Sequence, residues 1–152
     1  MEKMCFLFGH ADAPQLIMPI LEDIIEKEVA NGMCVFCVGT HGRFDSLAAA
    51  ALKAVKRRHT EIVLLQLVTV LPEKGELEIY EGFTGTYYPP LEETPRKYAL
   101  VRANQYMVKT ADRLICYVWH HGNTRKLLDF AQRAKKNECT VTNIAERIAG
   151  KE

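Results

Sequence analysis

Cys34-Val35-Phe36-Cys37-Val38-Gly39-Thr40-His41-Gly42-Arg43-Phe44-Asp45-Ser46-Leu47-Ala48-Ala49-Ala50-Ala51-Leu52 decides the fold. It opens as an unbroken apolar run, turns on two glycines and continues as an alanine-rich helix that closes on Lys53, Lys56, Arg57 and Arg58. Basic residues in a last turn complement the helix dipole. An apolar run with no polar face belongs to a strand covered on both sides, as parallel sheets require. The stretch is therefore a β-turn-α unit.

The same unit recurs. Met4 to Phe8 is a short apolar run ending in Gly9-His10, and Ala13 to Ala30 follows with helical spacing of its apolar residues and a stop at Asn31-Gly32. Ile62 to Leu71 reads as a third strand and Arg113 to Trp119 as a fourth. His120-His121-Gly122-Asn123-Thr124 then leads into a helix over Thr124 to Lys136. Tyr98 to Thr110 reads as a helix, Cys139 to Ile144 as a fifth strand, and Ala145 to Glu152 as a short or frayed helix. Alternating strands and helices predict an α/β fold with a mainly parallel sheet of about five strands between helical layers. The 152 residues make one domain, 1–152, with no internal repeat.

Pro72 to Lys97 breaks the pattern. It carries Gly75, Gly82, Gly85, Pro89, Pro90 and Pro95, with Tyr80, Phe83, Tyr87 and Tyr88 between them. A connection of this length in a small domain is functional or disordered, and the aromatics argue against disorder.

A net charge of +1 gives no field for tracking a phosphate backbone, so nucleic acid is not the expected partner. Lys53, Lys56, Arg57, Arg58 and His59 read first as a solvated helix end and second as a nucleic-acid patch. No apolar run reaches the roughly 18 residues of a membrane span, and the N-terminus has no secretory pattern. The five cysteines lie in or beside apolar runs, which suits free thiols in a reducing cytoplasm. Cys34 and Cys37 lie within one strand-like run and face opposite ways, so they form no redox or metal pair.

In an open parallel sheet the turns after the strands lie along the carboxyl edge, where such folds bind ligands. That places His10, His41, His120 and His121 on one rim, beside Gly9, Gly39, Gly42 and Gly122. The glycines let a ligand approach the backbone, and the helix N-termini beyond them offer N–H groups to a phosphate. On that reading Gly42→Val blocks the ligand and leaves the fold intact. Thr40 belongs to the same turn. Asp45 either holds ribose hydroxyls or favours the helix N-terminus, and Thr124 either caps its helix or binds phosphate. Arg125 and Lys126 oppose the dipole at that end unless an anion is present. His10, His41 and His121 come from three strand ends, but no paired histidine spacing supports a metal centre, and neither a metal nor a cofactor is expected. The loop aromatics and Trp119 are candidates to stack on a base or to pack in the core.

The pattern Gly39-x-x-Gly42-x-x-Asp45, Asn104-x-Tyr106-Met107-Val108, Ala111-Asp112-Arg113-Leu114-Ile115 and Gly122-Asn123-Thr124, closing on Phe130-Ala131, resembles the YpsA-like branch of the SLOG superfamily over residues 4 to 144. That superfamily unites DprA with the LOG enzymes. The resemblance implies a Rossmann-like fold, a nucleotide-derived ligand and a homodimer. Its motifs add Asn104 to the turn residues read above, and the expected ligand set is Gly9, His10, Gly39, Thr40, His41, Gly42, Asp45, Asn104, His121, Gly122, Asn123 and Thr124.

LOG enzymes hydrolyse the N-glycosidic bond of nucleoside monophosphates and carry a catalytic glutamate where this chain has Leu127. The family arginine before Asn104 is also displaced, since Arg102 lies one position too early, a turn of about 100° around a helix. The sequence thus favours binding, as a sensor or scavenger, over catalysis. A LOG-like hydrolase, with Asp45 as its acid or base, is the alternative, and a DprA-like single-strand DNA binder the third reading.

Overall fold

A computed structural model describes residues 3–70, 75, 77–91, 93–134 and 141–149. Six strands form one sheet: β1 (Met4–Gly9), β2 (Val35–Val38), β3 (Val63–Leu67), β4 (Gly85–Tyr87), β5 (Arg113–Tyr117) and β6 (Val141–Asn143). The helices are α1 (Met18–Ala30), α2 (Arg43–Arg58), α3 (Ala99–Thr110), α4 (Asn123–Ala134) and α5 (Ile144–Ala149). The sheet order is β4-β3-β2-β1-β5-β6, and every pairing is parallel. The chain builds outward from β1 to β4, then crosses back to lay β5 on the other side of β1. The strand order reverses between β1 and β5, which makes a crevice at their carboxyl ends.

Alternation along β1 sorts the core into two layers. Cys5 and Leu7 join Phe36, Val38, Leu64 and Ile115 beneath α1, α2 and Ile144 of α5. Phe6 and Phe8 join Cys37, Leu67, Leu114 and Cys116 beneath α3 and α4. The α/β three-layer reading therefore holds, with six strands in place of five.

The extra strand is β4, inside the glycine- and proline-rich connection. Its three residues carry no strand signal of their own; they are strand because β3 has an open edge. Leu64 and Thr84 bond there through both backbone and the Thr84 hydroxyl. Buried Gln66 anchors the segment before it. Its Nε2 donates to the Glu78 carbonyl at 2.8 Å, and its Oε1 accepts from the Tyr80 N–H at 2.7 Å.

Other boundaries moved for local reasons. The first helix begins at Met18, after a 3-10 turn over Gln15–Ile17, and not at Ala13. Pro19 has no N–H to bond the Gln15 carbonyl, so Met18 bonds it instead in the tighter pattern. The third strand stops at Leu67, short of Leu71. Cys139, Thr140, Lys135, Lys136 and residues 150–152 lie outside the described residues.

The basic end of α2 is engaged within the chain. Lys56 Nζ donates to the carbonyls of Thr60 and Ile62, while Arg58 and His59 both meet Glu26 of α1. Cys37 is buried, and burial pushes its thiol up to about 12. Cys34 lies outside β2, half-buried. Among the described residues no helix is long and apolar enough to cross a membrane.

Candidate functional site

A cavity of about 300 Å³ opens at the carboxyl edge, on the face that α3 and α4 cover. Its floor is β1, from Phe6 to Gly9. The turn after β2 supplies Gly39 and His41, and the first turn of α2 supplies Asp45. One wall is α3, with Leu100, Val101, Asn104 and Gln105; the other is the start of α4, with Asn123, Thr124, Lys126, Leu127 and Phe130. The volume is at the lower end for small-molecule sites.

Seven sequence candidates line this cavity together: Gly9, Gly39, His41, Asp45, Asn104, Asn123 and Thr124. They come from five separate elements. Five others do not line it: His10, Thr40, Gly42, His121 and Gly122. Thr40 lies beside a second cavity of about 350 Å³ over the ends of β2 and β3, which it shares with His41. His121 and Gly122 are exposed just before α4.

Two glycines serve the chain itself. A Cβ on Gly9 would stand 2.5 Å from Cγ of Phe44, the fully buried ring that seats α2 on β1. A Cβ on Gly42 would stand 2.7 Å from Cα of Ala11, and Gly42 has φ +120°. The expectation that Gly42→Val spares the fold is thus corrected: that position is filled by neighbouring backbone. The same crossing occupies the N-terminus of α2, where the Arg43 N–H donates to the Ala11 carbonyl at 3.0 Å. The start of α4 is the better-placed anion end, because Lys126 stands in the cavity wall beside it.

Asp45 dominates the electrostatics. It is 8% exposed, and its Oδ2 accepts the His41 N–H at 2.8 Å. No other hydrogen bond reaches this carboxylate among the described residues. Burial pushes it up to about 6, against the pull of the His41 N–H. Tyr80 lies close by, its hydroxyl donating to the Gly39 carbonyl at 2.9 Å, and burial followed by the Asp45 charge pushes it up to about 12.

His10 has turned away from the cavity. It is 3% exposed, and its Nε2 accepts the N–H groups of Trp119 at 3.0 Å and His120 at 3.3 Å. Its ring stacks on that of His120, with centroids 3.6 Å apart and planes within 8°. Of His10, His41 and Gly122, expected about one pocket, only His41 lines it: Gly122 is exposed before α4, and the His10 imidazole is spent on backbone. Asp12 completes a cluster with the two rings, meeting His120 Nε2 at 3.3 Å. The two ring planes are nearly parallel, and the Nε2 of His10 already accepts two backbone N–H groups.

The loop aromatics do not line the cavity. Tyr80 and Phe83 pack against the α1/α2 core, Tyr87 meets Tyr106 of α3, and Tyr88 and Trp119 are exposed. The rings that do line it are Phe6, Phe8 and Phe130. Sequence reasoning assigned the first two to the core, where much of each ring does lie. Leu100, Val101 and Gln105 carry no such expectation from the sequence, and the spacing of Leu100, Val101 and Asn104 on one helix face was the available signal; Lys126, expected beside an anion, does line the cavity.

The sheet order and the edge cavity define a doubly wound α/β protein with a switch point between β1 and β5. No protein-family model matches this chain, and no curated protein matches it.

Proposed function

We propose that this protein binds a nucleotide-derived small molecule in the edge cavity and senses or sequesters it. The observation that carries the reading is Asp45: a buried carboxylate with one bond from its own turn lines a cavity that also holds Lys126 and the first turn of α4. A carboxylate suits paired sugar hydroxyls, and a helix start with a lysine suits a phosphate. Phe6, Phe8 and Phe130 offer apolar surface to a base. Leu127 in the wall has no catalytic atoms, which favours binding over turnover.

A second reading has its own support. A carboxyl pushed up to about 6 is poised for proton transfer near neutral pH, so Asp45 fits the acid or base of an N-glycosidic hydrolase. Calorimetric titration with nucleoside monophosphates, and chromatography for released base, separate the two. The expected result is binding without multiple-turnover base release, and a loss of about 1–3 kcal/mol of binding in Asp45→Ala. Sustained base release by the wild type, reduced about 10²-fold or more in Asp45→Ala with binding retained, overturns it in favour of the hydrolase. The homodimer and the cytoplasmic location that the sequence suggests belong to this proposal, and sedimentation tests the dimer.

A further inference from the structure

The turn between β5 and α4 carries Asn123, Thr124 and Lys126 to the cavity, and two side chains from other parts of the chain hold it down. Asn143 of β6 clamps Val118: its Oδ1 accepts the Val118 N–H at 3.0 Å, and its Nδ2 donates to the Val118 carbonyl at 2.9 Å. His10, beyond the end of β1, takes the next two N–H groups, those of Trp119 and His120. The two clamps differ in one respect. An amide does not titrate and an imidazole does.

We propose that His10 is a proton-sensitive latch that positions the β5–α4 turn, releasing residues 119–122, and with them the start of α4, when it takes up a proton.

The geometry requires Nε2 to be a bare acceptor, since two N–H groups point at it. The ring proton is therefore on Nδ1 at neutral pH. A second proton on Nε2 would set a donor against two donors, so the protonated ring and the docked turn exclude each other. Every charged or titratable neighbour bears on this balance. His120, stacked on the ring, donates from Nδ1 to the His121 carbonyl at 2.8 Å, and its Nε2 meets Asp12. Those two partners hold His120 above the usual histidine range, the His121 carbonyl first. His120 thus charges before His10 and opposes a second charge against its face. Arg125 of α4 opposes it too, Asp12 favours it, and Tyr117 of β5 meets the ring edge-on at 6.2 Å. Burial acts most strongly of all, and the sum holds His10 below the ordinary value.

A histidine held low in the docked state binds its proton more readily once the turn lifts. Docking is therefore favoured above the free-histidine value of about 6.5 and weakens as pH falls below it, by up to about tenfold per pH unit until the docked form itself titrates. The latch needs no ligand to operate. Its consequence for affinity rests on the reading of the cavity given above, so the latch is tested without a ligand.

The test is residue-resolved amide hydrogen exchange on the full chain from pH 7.5 to 5.0, corrected for intrinsic exchange. The Trp119 and His120 amides are expected to lose protection progressively below pH about 6.5, while Val118, held by Asn143, stays level. In His10→Gln, whose side-chain carbonyl also accepts but does not titrate, none of the three is expected to lose protection as pH falls. Protection of Trp119 and His120 that is independent of pH in the wild type overturns the proposal. So does a parallel loss at Val118, or an equal loss in His10→Gln. Nitrogen shifts of the wild-type ring at pH 7.5 give a check that needs no variant. Nε2 unprotonated and Nδ1 protonated is the expected tautomer, and the reverse overturns the latch.

Discussion

A buried carboxylate at the edge of a cavity is an expensive residue to keep. Asp45 titrates near 6 in the fold against 3.8 for a free side chain, and burial is the cause. A carboxyl whose value rises on folding holds its proton more tightly in the folded chain. It opposes folding increasingly as pH climbs from 3.8 to about 6, and by a constant amount above that. Two pH units of this kind correspond to about 3 kcal/mol. Asp45→Asn keeps an oxygen for the His41 N–H and removes the charge. It is expected to raise stability in urea titrations by about 1–3 kcal/mol at pH 8, with the gain shrinking as pH falls through 6 towards 4. A variant less stable than wild type at pH 8 would show that the charge is compensated. The motif at Gly39, Gly42 and Asp45 was legible in the chain; the burial that gives Asp45 its character was not, because it comes from α2 lying down on β1.

At the scale of elements, that contact is set by the absence of a side chain. Phe44 has no exposed surface, and a Cβ on Gly9 would stand 2.5 Å from its ring. Gly9→Ala is expected to destabilise the fold by about 1–3 kcal/mol, measured by thermal or urea unfolding, because the packed ring has nowhere to go. An unchanged midpoint would mean that α2 can lift away. The long connection is governed by Gln66 in the same way. Gln66→Leu keeps the volume of the side chain but leaves the Glu78 carbonyl and the Tyr80 N–H without their partner. Loss of about 1–3 kcal/mol and faster proteolytic cutting within residues 77–84 are expected, while retained resistance would place the anchor elsewhere. Nothing in Pro72 to Lys97 announces that anchor. The aromatics there were read as ligand contacts or packing, and packing holds for Tyr80 and Phe83, because a polar side chain from β3 draws their segment onto the core.

On the scale of the whole molecule, a doubly wound sheet gathers four short segments, far apart in the chain, onto one edge. Strand-turn-helix order was enough to derive this. Unbroken apolar runs can be buried only between two layers, and right-handed crossovers put every following turn on the same side. Those features of fold and edge belong to the sequence alone, since periodicity and glycine placement are local. Which edge residues look into the cavity was settled by tertiary structure. His10 and His41 both lie in the turn after a strand, yet His41 lines the cavity and His10 is buried against the backbone of residues 119 and 120. Gly39 lines the cavity, while Gly42, three residues on, is pressed against Ala11. The short strand β4 exists only because β3 offers it an edge. The physical reason is common to all three. A side chain's direction and neighbours depend on what other elements bring to within a few ångströms, and local pattern carries no record of those arrivals.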